Sequence, residues 1–209
     1  MSDRADWLSP LESSRFYTCV YDRFSVPLVI FEHHRFTLPV IWLAKRAGIL
    51  TEAVPLVYFD HHPDLLTSPD INAHAAFFAQ AESFDDVVRY TEERMSVCND
   101  DWVRTAVACG LVSTYTHVAA TEQPLPLHDG AWWCDLDLDY FTDEAERKRI
   151  VPWTTDRMVT DVRMRKQFWS HAAKTVPCVT VARESEFCGG GEAMKKTRND
   201  FFDALARCV

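Results

Sequence analysis

The sequence predicts an α/β fold: a single-domain, three-layer α/β/α arrangement around a mostly parallel sheet, spanning residues 1–209. Three observations predict it. Short apolar runs alternate along the chain with segments of helical character, the order that parallel strands and right-handed crossovers require. Several runs are β-branched or aromatic without interruption, as expected of a sheet covered on both faces. The chain has 209 residues, 47% of them hydrophobic, enough for one sizeable core and too few for two comfortable domains.

The expected strands are "SVPLVIFE" (25–32), "VPLVYFD" (54–60), "STYTHVA" (113–119), "AWWCDLDLD" (131–139) and "VPCVTVA" (176–182). Between them, "TLPVIWLAKRAG" ends in Gly48, a natural helix stop, and "SFDDVVRYTEERM" has helical character. "NDDWVRTAVACG" has Asn99 or Asp100 as its cap and Gly110 as its stop. "TTDRMVTDVRMRKQFWSHAAK" and "EAMKKTRNDFFDALARC" supply the remaining helices. "TEQPLPLHDG" (121–130) is the most loop-like stretch. Trp132 and Trp133 belong to the core.

Composition removes several function classes. A net charge of −9 argues against a nucleic-acid surface, which needs a clustered basic face. No window approaches the length of apolar chain that a membrane span requires, and the N-terminus has no basic-then-apolar signal, so a cytoplasmic protein is expected. The seven cysteines (Cys19, Cys98, Cys109, Cys134, Cys178, Cys188, Cys208) are dispersed and form no CxxC pair. They read as reduced and mostly buried rather than as a disulfide framework.

Ligands of parallel sheets bind beyond the carboxyl ends of the strands. Here the residues after the runs are His33 and His34, then Asp60, His62 and Asp64, then Asp135, Asp137 and Asp139, then Glu184 and Glu186. In an extended segment the Asp-x-His-x-Asp spacing of 60, 62 and 64 turns all three side chains to one side, with His61 opposite. "DLDLD" repeats the device. Gathered carboxylates repel one another unless cations intervene, and oxygen-rich ligands with one or two imidazoles suit manganese or iron better than structural zinc. Two such ions would share a water and present it as hydroxide.

The order of these motifs resembles the arginase and ureohydrolase superfamily, whose relatives include deacetylase-like hydrolases. More closely, "EHHRFTLPVIWLAKRAG", "FDHHPDLL", "MSVCNDDWVRTAVACGLV", "WCDLDLDYF" and "VTVARESEFCGG" together look like the arginase-like family that includes the peptide arginases. The similarity runs from about residue 25 to 195. It implies an arginase/deacetylase-like fold, two Mn2+ ions and hydrolysis of a peptidyl arginine guanidinium to ornithine and urea. The partner it implies is an arginine-containing precursor peptide, with or without a leader segment.

Residue by residue, the resemblance implies that His34 is the first metal ligand, with Glu32 opening its motif, and that His33 is not required. Asp60 and Asp64 bind metal with His34, Asp60 bridges, and His62 binds the second ion. Asp135 and Asp137 match the later Asp-x-Asp. The pair Asp137 and Asp139 has the same spacing, and the first pair is preferred because Asp135 comes directly after "AWWC". Glu186 meets the substrate guanidinium, with Glu184 as its neighbour on the same side if the chain stays extended. Asp64, His74 and Glu186 are the candidate catalytic groups, His74 as the shuttle that protonates the leaving amine. The chain is shorter than ordinary arginases, lacks their Gly-Gly-Asp-His motif and lacks the Asp-Pro closing their later one, which suggests an open rim.

Three rivals remain. "DHH" also marks a class of manganese phosphoesterases, but no basic glycine-rich segment comes after it. A deacetylase-like amidohydrolase would use the same metal edge, yet its second imidazole pair and catalytic tyrosine are not found. A metal-stabilised binding module would hold its ion saturated, without exchangeable water.

Overall fold

The computed structural model describes residues 6–12, 15–21, 24–96, 100–119, 124–145 and 149–208. Eight strands are defined: β1 (Tyr17–Tyr21), β2 (Phe24–Phe31), β3 (Val54–Phe59), β4 (Val112–Val118), β5 (Trp133–Asp137), β6 (Thr142–Ala145), β7 (Arg149–Pro152) and β8 (Val179–Ala182). The helices are α1 (Thr37–Arg46), α2 (Ile71–Gln80), α3 (Phe84–Arg94), α4 (Trp102–Ala108), α5 (Thr155–Met164), α6 (Lys166–Thr175) and α7 (Gly191–Cys208).

Six strands form one sheet in the order β1-β2-β8-β5-β3-β4. Every pairing in it is parallel except β1 with β2. A separate antiparallel pair, β6 with β7, lies outside the sheet. Alternate residues of each strand feed opposite faces, as the strand period dictates. On β3, Leu56 and Tyr58 join the core beneath α1, α3 and α4, whereas Val57 and Phe59 join the core beneath α5, α6 and α7. The expected three-layer α/β/α arrangement is therefore observed.

The second core is dominated by rings. Phe59 has no exposed surface and packs against Tyr140 at 5.3 Å, Phe168 at 5.3 Å and Trp169 at 4.9 Å between ring centroids. Phe59→Ala leaves a cavity that these rings cannot collapse into, so chemical denaturation is expected to show a loss of roughly 3–5 kcal/mol. Trp132 and Trp133 are likewise fully buried. Cys134, Cys178, Cys188 and Cys208 are buried and Cys19 and Cys109 half-buried, none in a disulfide; Cys98 lies outside the described residues.

Several boundaries differ from expectation. The long segment 154–174 breaks into α5 and α6 at Arg165, where the backbone (φ −94, ψ 16) leaves the helical region and the guanidinium turns back onto Asp161 at 3.1 Å. The position before α4 is Asp101, not Asn99 or Asp100, and its side chain makes no cap bond. Strand β4 is a sheet edge with Ser113, Thr114 and Tyr115 exposed, which explains its polar composition. Strand β1, helix α2 and the β6–β7 hairpin carry no clear signal in the sequence. No described helix is long and apolar enough to cross a membrane.

Candidate metal centre

Strands β2, β8, β5 and β3 are adjacent and parallel, and their register sets their ends side by side. Phe31 pairs with Ala182, Ala182 with Asp137, and Phe59 with Leu136. The residues just beyond these strands therefore meet at one edge: His34 after β2, Glu184 after β8, Asp139 after β5, and Asp60, His62 and Asp64 after β3. Together they line one cavity of about 500 Å³.

His34 is the pivot. It is buried, and its ring lies 4.8 Å from that of Trp102. Its Nε2 donates to Asp135 Oδ2, whose carboxylate also accepts Thr37 Oγ1 at 2.7 Å and Thr180 Oγ1 at 2.5 Å. A carboxylate only accepts, so the proton belongs on Nε2 and the lone pair on Nδ1. That Nδ1 faces Asp64 Oδ2 at 2.9 Å, Asp60 Oδ2 at 3.1 Å and Asp137 Oδ2 at 3.4 Å, and neither Nδ1 nor Asp60 Oδ2 has a hydrogen bond. A lone pair confronting three carboxylates is repulsive unless a proton or a cation sits among them. These groups fit a divalent cation of nitrogen and oxygen preference.

A second group shares Asp60. His62 Nδ1 lies 2.9 Å from Asp139 Oδ2 and 4.0 Å from Asp60 Oδ1. His34, Asp60 and Asp64 form one set able to hold an ion, and Asp60, His62 and Asp139 form another. Asp60 and His62 come from the two sides of one turn, closed by His62 N donating to Asp60 Oδ1 at 2.7 Å. Behind it, His117 Nε2 donates to the Asp60 carbonyl at 3.0 Å, and Tyr58 Oη donates to the Pro63 carbonyl. Asp64 adopts φ +46, which swings its carboxylate inward, where Trp102 Nε1 donates to Oδ2 at 2.8 Å.

Burial drives the electrostatics. It raises the pKa of Asp60 and of Asp137 well above the ordinary carboxylate value, with the Asp139 charge adding to both. Asp139 is buried too, yet hydrogen bonds from His62 and from the His61 amide hold its pKa low. Burial alone would lower His34, but the Asp135 charge and hydrogen bond, with the Asp60 and Asp64 carboxylates facing Nδ1, raise it well above the usual histidine value. Glu184, 5% exposed, is pushed up to about 7, chiefly by burial, although the His34 amide donates to its Oε1 at 2.6 Å.

All of these shifts except that of Asp139, whose stabilisation is lost as pH falls, share one sign for stability. Without metal, the folded chain keeps protons on Asp60, Asp137 and Glu184 that the unfolded chain releases as pH rises, so stability falls through that window. Glu184 contributes roughly 3 kcal/mol at most between about pH 4.5 and 7. His34 acts in the same direction, its stabilisation being lost as pH rises through its raised pKa. Thermal melts of metal-stripped protein are expected to drop from about pH 5 to 7. Added manganese is expected to reverse the trend, since metal binding releases those protons.

Three sequence expectations are corrected. Asp135 does not face the cavity; it is fully buried within β5 and orients His34, so Asp137 and Asp139 are the pair at the strand end. Asp137 still belongs to β5, two residues further along than "AWWC" suggests, and its Oδ1 accepts the Asp139 amide at 2.9 Å as the chain turns. Glu184, not Glu186, lines the cavity, because Glu184 has φ +37 and the chain curls rather than staying extended. Glu186 is exposed. His74 is buried away from the cavity, its two ring nitrogens 3.0 Å from Ser68 Oγ and from Tyr90 Oη. It does not line the cavity at which a shuttle would act.

No known protein-family model matches the chain, and no curated protein matches it. The case for an ion site therefore rests on the geometry. The site also includes residues beyond those expected: Thr37 and Thr180 behind Asp135, Trp102 behind Asp64, and Phe187, whose ring lies 5.7 Å from that of His62 at the cavity mouth. Asp135→Asn tests the orienting role. Its amide can present a donor to Nε2 and so shift the His34 proton onto Nδ1, and manganese affinity measured by titration is expected to fall about 10- to 100-fold.

Proposed function

We propose that this chain is a metal-dependent hydrolase of the arginase-like type that removes urea from arginine residues in a peptide, leaving ornithine. The observation supporting it most strongly is the pairing of a carboxylate-rich ion site with a separate buried carboxylate, Glu184, on the same cavity. An acidic cavity with no lysine or arginine among its described lining residues suits a cationic substrate. The resemblance of the five motifs adds the reaction class.

In this reading His34, Asp60, Asp64, His62, Asp137 and Asp139 would hold two divalent cations, taken as manganese, and Asp60 belongs to both candidate sets. Bound there, the cations would acidify a water and make it a nucleophile at neutral pH. Glu184 holds the guanidinium, a planar, permanently charged donor of paired hydrogen bonds. It thereby fixes the central carbon for attack. Collapse of the tetrahedral carbon breaks the Cζ–Nε bond and releases urea, and the departing amine takes up the protons that the attacking water brought.

Free arginine carries a carboxylate that this acidic cavity would repel and that no lysine or arginine among the described lining residues would receive; in a peptide that charge is absent. Urea release should therefore be measured in parallel from free arginine, an acetyl-arginine peptide amide and an acetyl-lysine peptide, each with manganese. Urea from the peptide, at least about ten times faster than from arginine, is expected. Acetate from the acetyl-lysine peptide without urea from either other substrate would favour a deacetylase-like amidohydrolase instead.

A further inference from the structure

The cavity has two unlike zones. Its floor is the acid cluster with His34 and Glu184, and its mouth is walled by Leu66 on the loop after β3 and Phe187 on the turn after β8. Both apolar side chains face solvent, Leu66 at 63% and Phe187 at 37% exposure. Neither wall is loosely held. The Leu66 amide donates to the Asp100 carbonyl at 2.8 Å and the Phe187 amide to the Glu184 carbonyl at 2.8 Å. Phe187 also packs its ring edge-on to His62. Leu66 and Phe187 thus offer apolar surface from two separate elements beside the acid floor.

Resting on the peptidyl-arginine reading, we infer that Leu66 and Phe187 form a subsite for an apolar side chain next to the target arginine. The acid floor fixes the guanidinium end, and an arginine reaching the floor leaves its own backbone at the mouth. The residue beside it then lies against Leu66 and Phe187. Charge separates the zones: a basic neighbour would be drawn to the floor in competition with the arginine, and an acidic one would meet Asp100, which also lines the cavity. An apolar neighbour covers both walls and competes with nothing.

The test compares kcat/KM for urea release from acetyl-Leu-Arg-Leu-amide and acetyl-Gly-Arg-Gly-amide with the manganese-loaded protein. The leucine peptide is expected to be preferred about ten-fold, the effect of partly burying one or two such side chains. In a chain carrying both Leu66→Ser and Phe187→Ser, the ratio is expected to fall to within about two-fold of unity, while Leu66→Met retains the preference. Equal rates for the two peptides in the unaltered protein, or an undiminished ratio in the double variant, would overturn the subsite and leave the hydrolase reading standing. Urea from neither peptide would overturn both.

Discussion

Glu184→Gln is expected to retain bound manganese while urea release from an arginine peptide falls on the order of a hundred- to a thousand-fold. Glutamine keeps the size of the side chain and its oxygen can still accept the His34 amide, so the loop after β8 need not move. What disappears is the negative charge facing a cation that is never deprotonated. Glu186→Gln, on an exposed carboxylate away from the cavity, is expected to stay within about two-fold of the unaltered rate. Metal content by elemental analysis and steady-state urea release on the same samples check both. Full activity in Glu184→Gln would rule out this residue as the guanidinium holder.

Asp60→Ala and Asp137→Ala are expected to lose both metal and turnover, with manganese occupancy down to about a tenth or less and activity reduced by about a thousand-fold. Asp60 belongs to both ion-holding sets, and Asp137 Oδ2 points at His34 Nδ1. The same substitutions relieve like-charge crowding when no cation is present. Metal-stripped Asp137→Asn is therefore expected to melt a few degrees above metal-stripped unaltered protein, whereas with manganese the order reverses. A merely structural cluster would show the opposite, since removing one member of a satisfied network destabilises it under every condition. Metal retained at full stoichiometry in both alanine variants would contradict the site.

The sheet's central strands were legible because their apolar runs are continuous: β3 is buried along almost its whole length, and the carboxylates and imidazoles come directly after its end and that of β2. The grouping of His34, Asp60, His62 and Asp64, which could hold ions, was legible for the same reason. The register of "DLDLD" was not, since Asp135, Asp137 and Asp139 share one face and alternation alone ranks none of them. Their roles are separated by where β5 stops and the chain turns, and that depends on pairing with β3 and β8. Glu184 and Glu186 would share one side of an extended backbone, and the positive φ at Glu184, which sequence spacing does not signal, separates them. Helix α2 has no side-chain cap bond at Asp70, and β1 exposes Tyr17 and Val20, so neither announces itself. The place of His74 depends on Tyr90, sixteen residues away on α3.

The most direct measurement is urea release from acetyl-Gly-Arg-Gly-amide as manganese is titrated into metal-stripped protein at neutral pH. A two-ion hydrolase at this sheet edge gives no urea when stripped, a rise that tracks bound manganese, and loss of the activity on chelation. Urea released equally well by the stripped protein, or none from the fully loaded one, would contradict it.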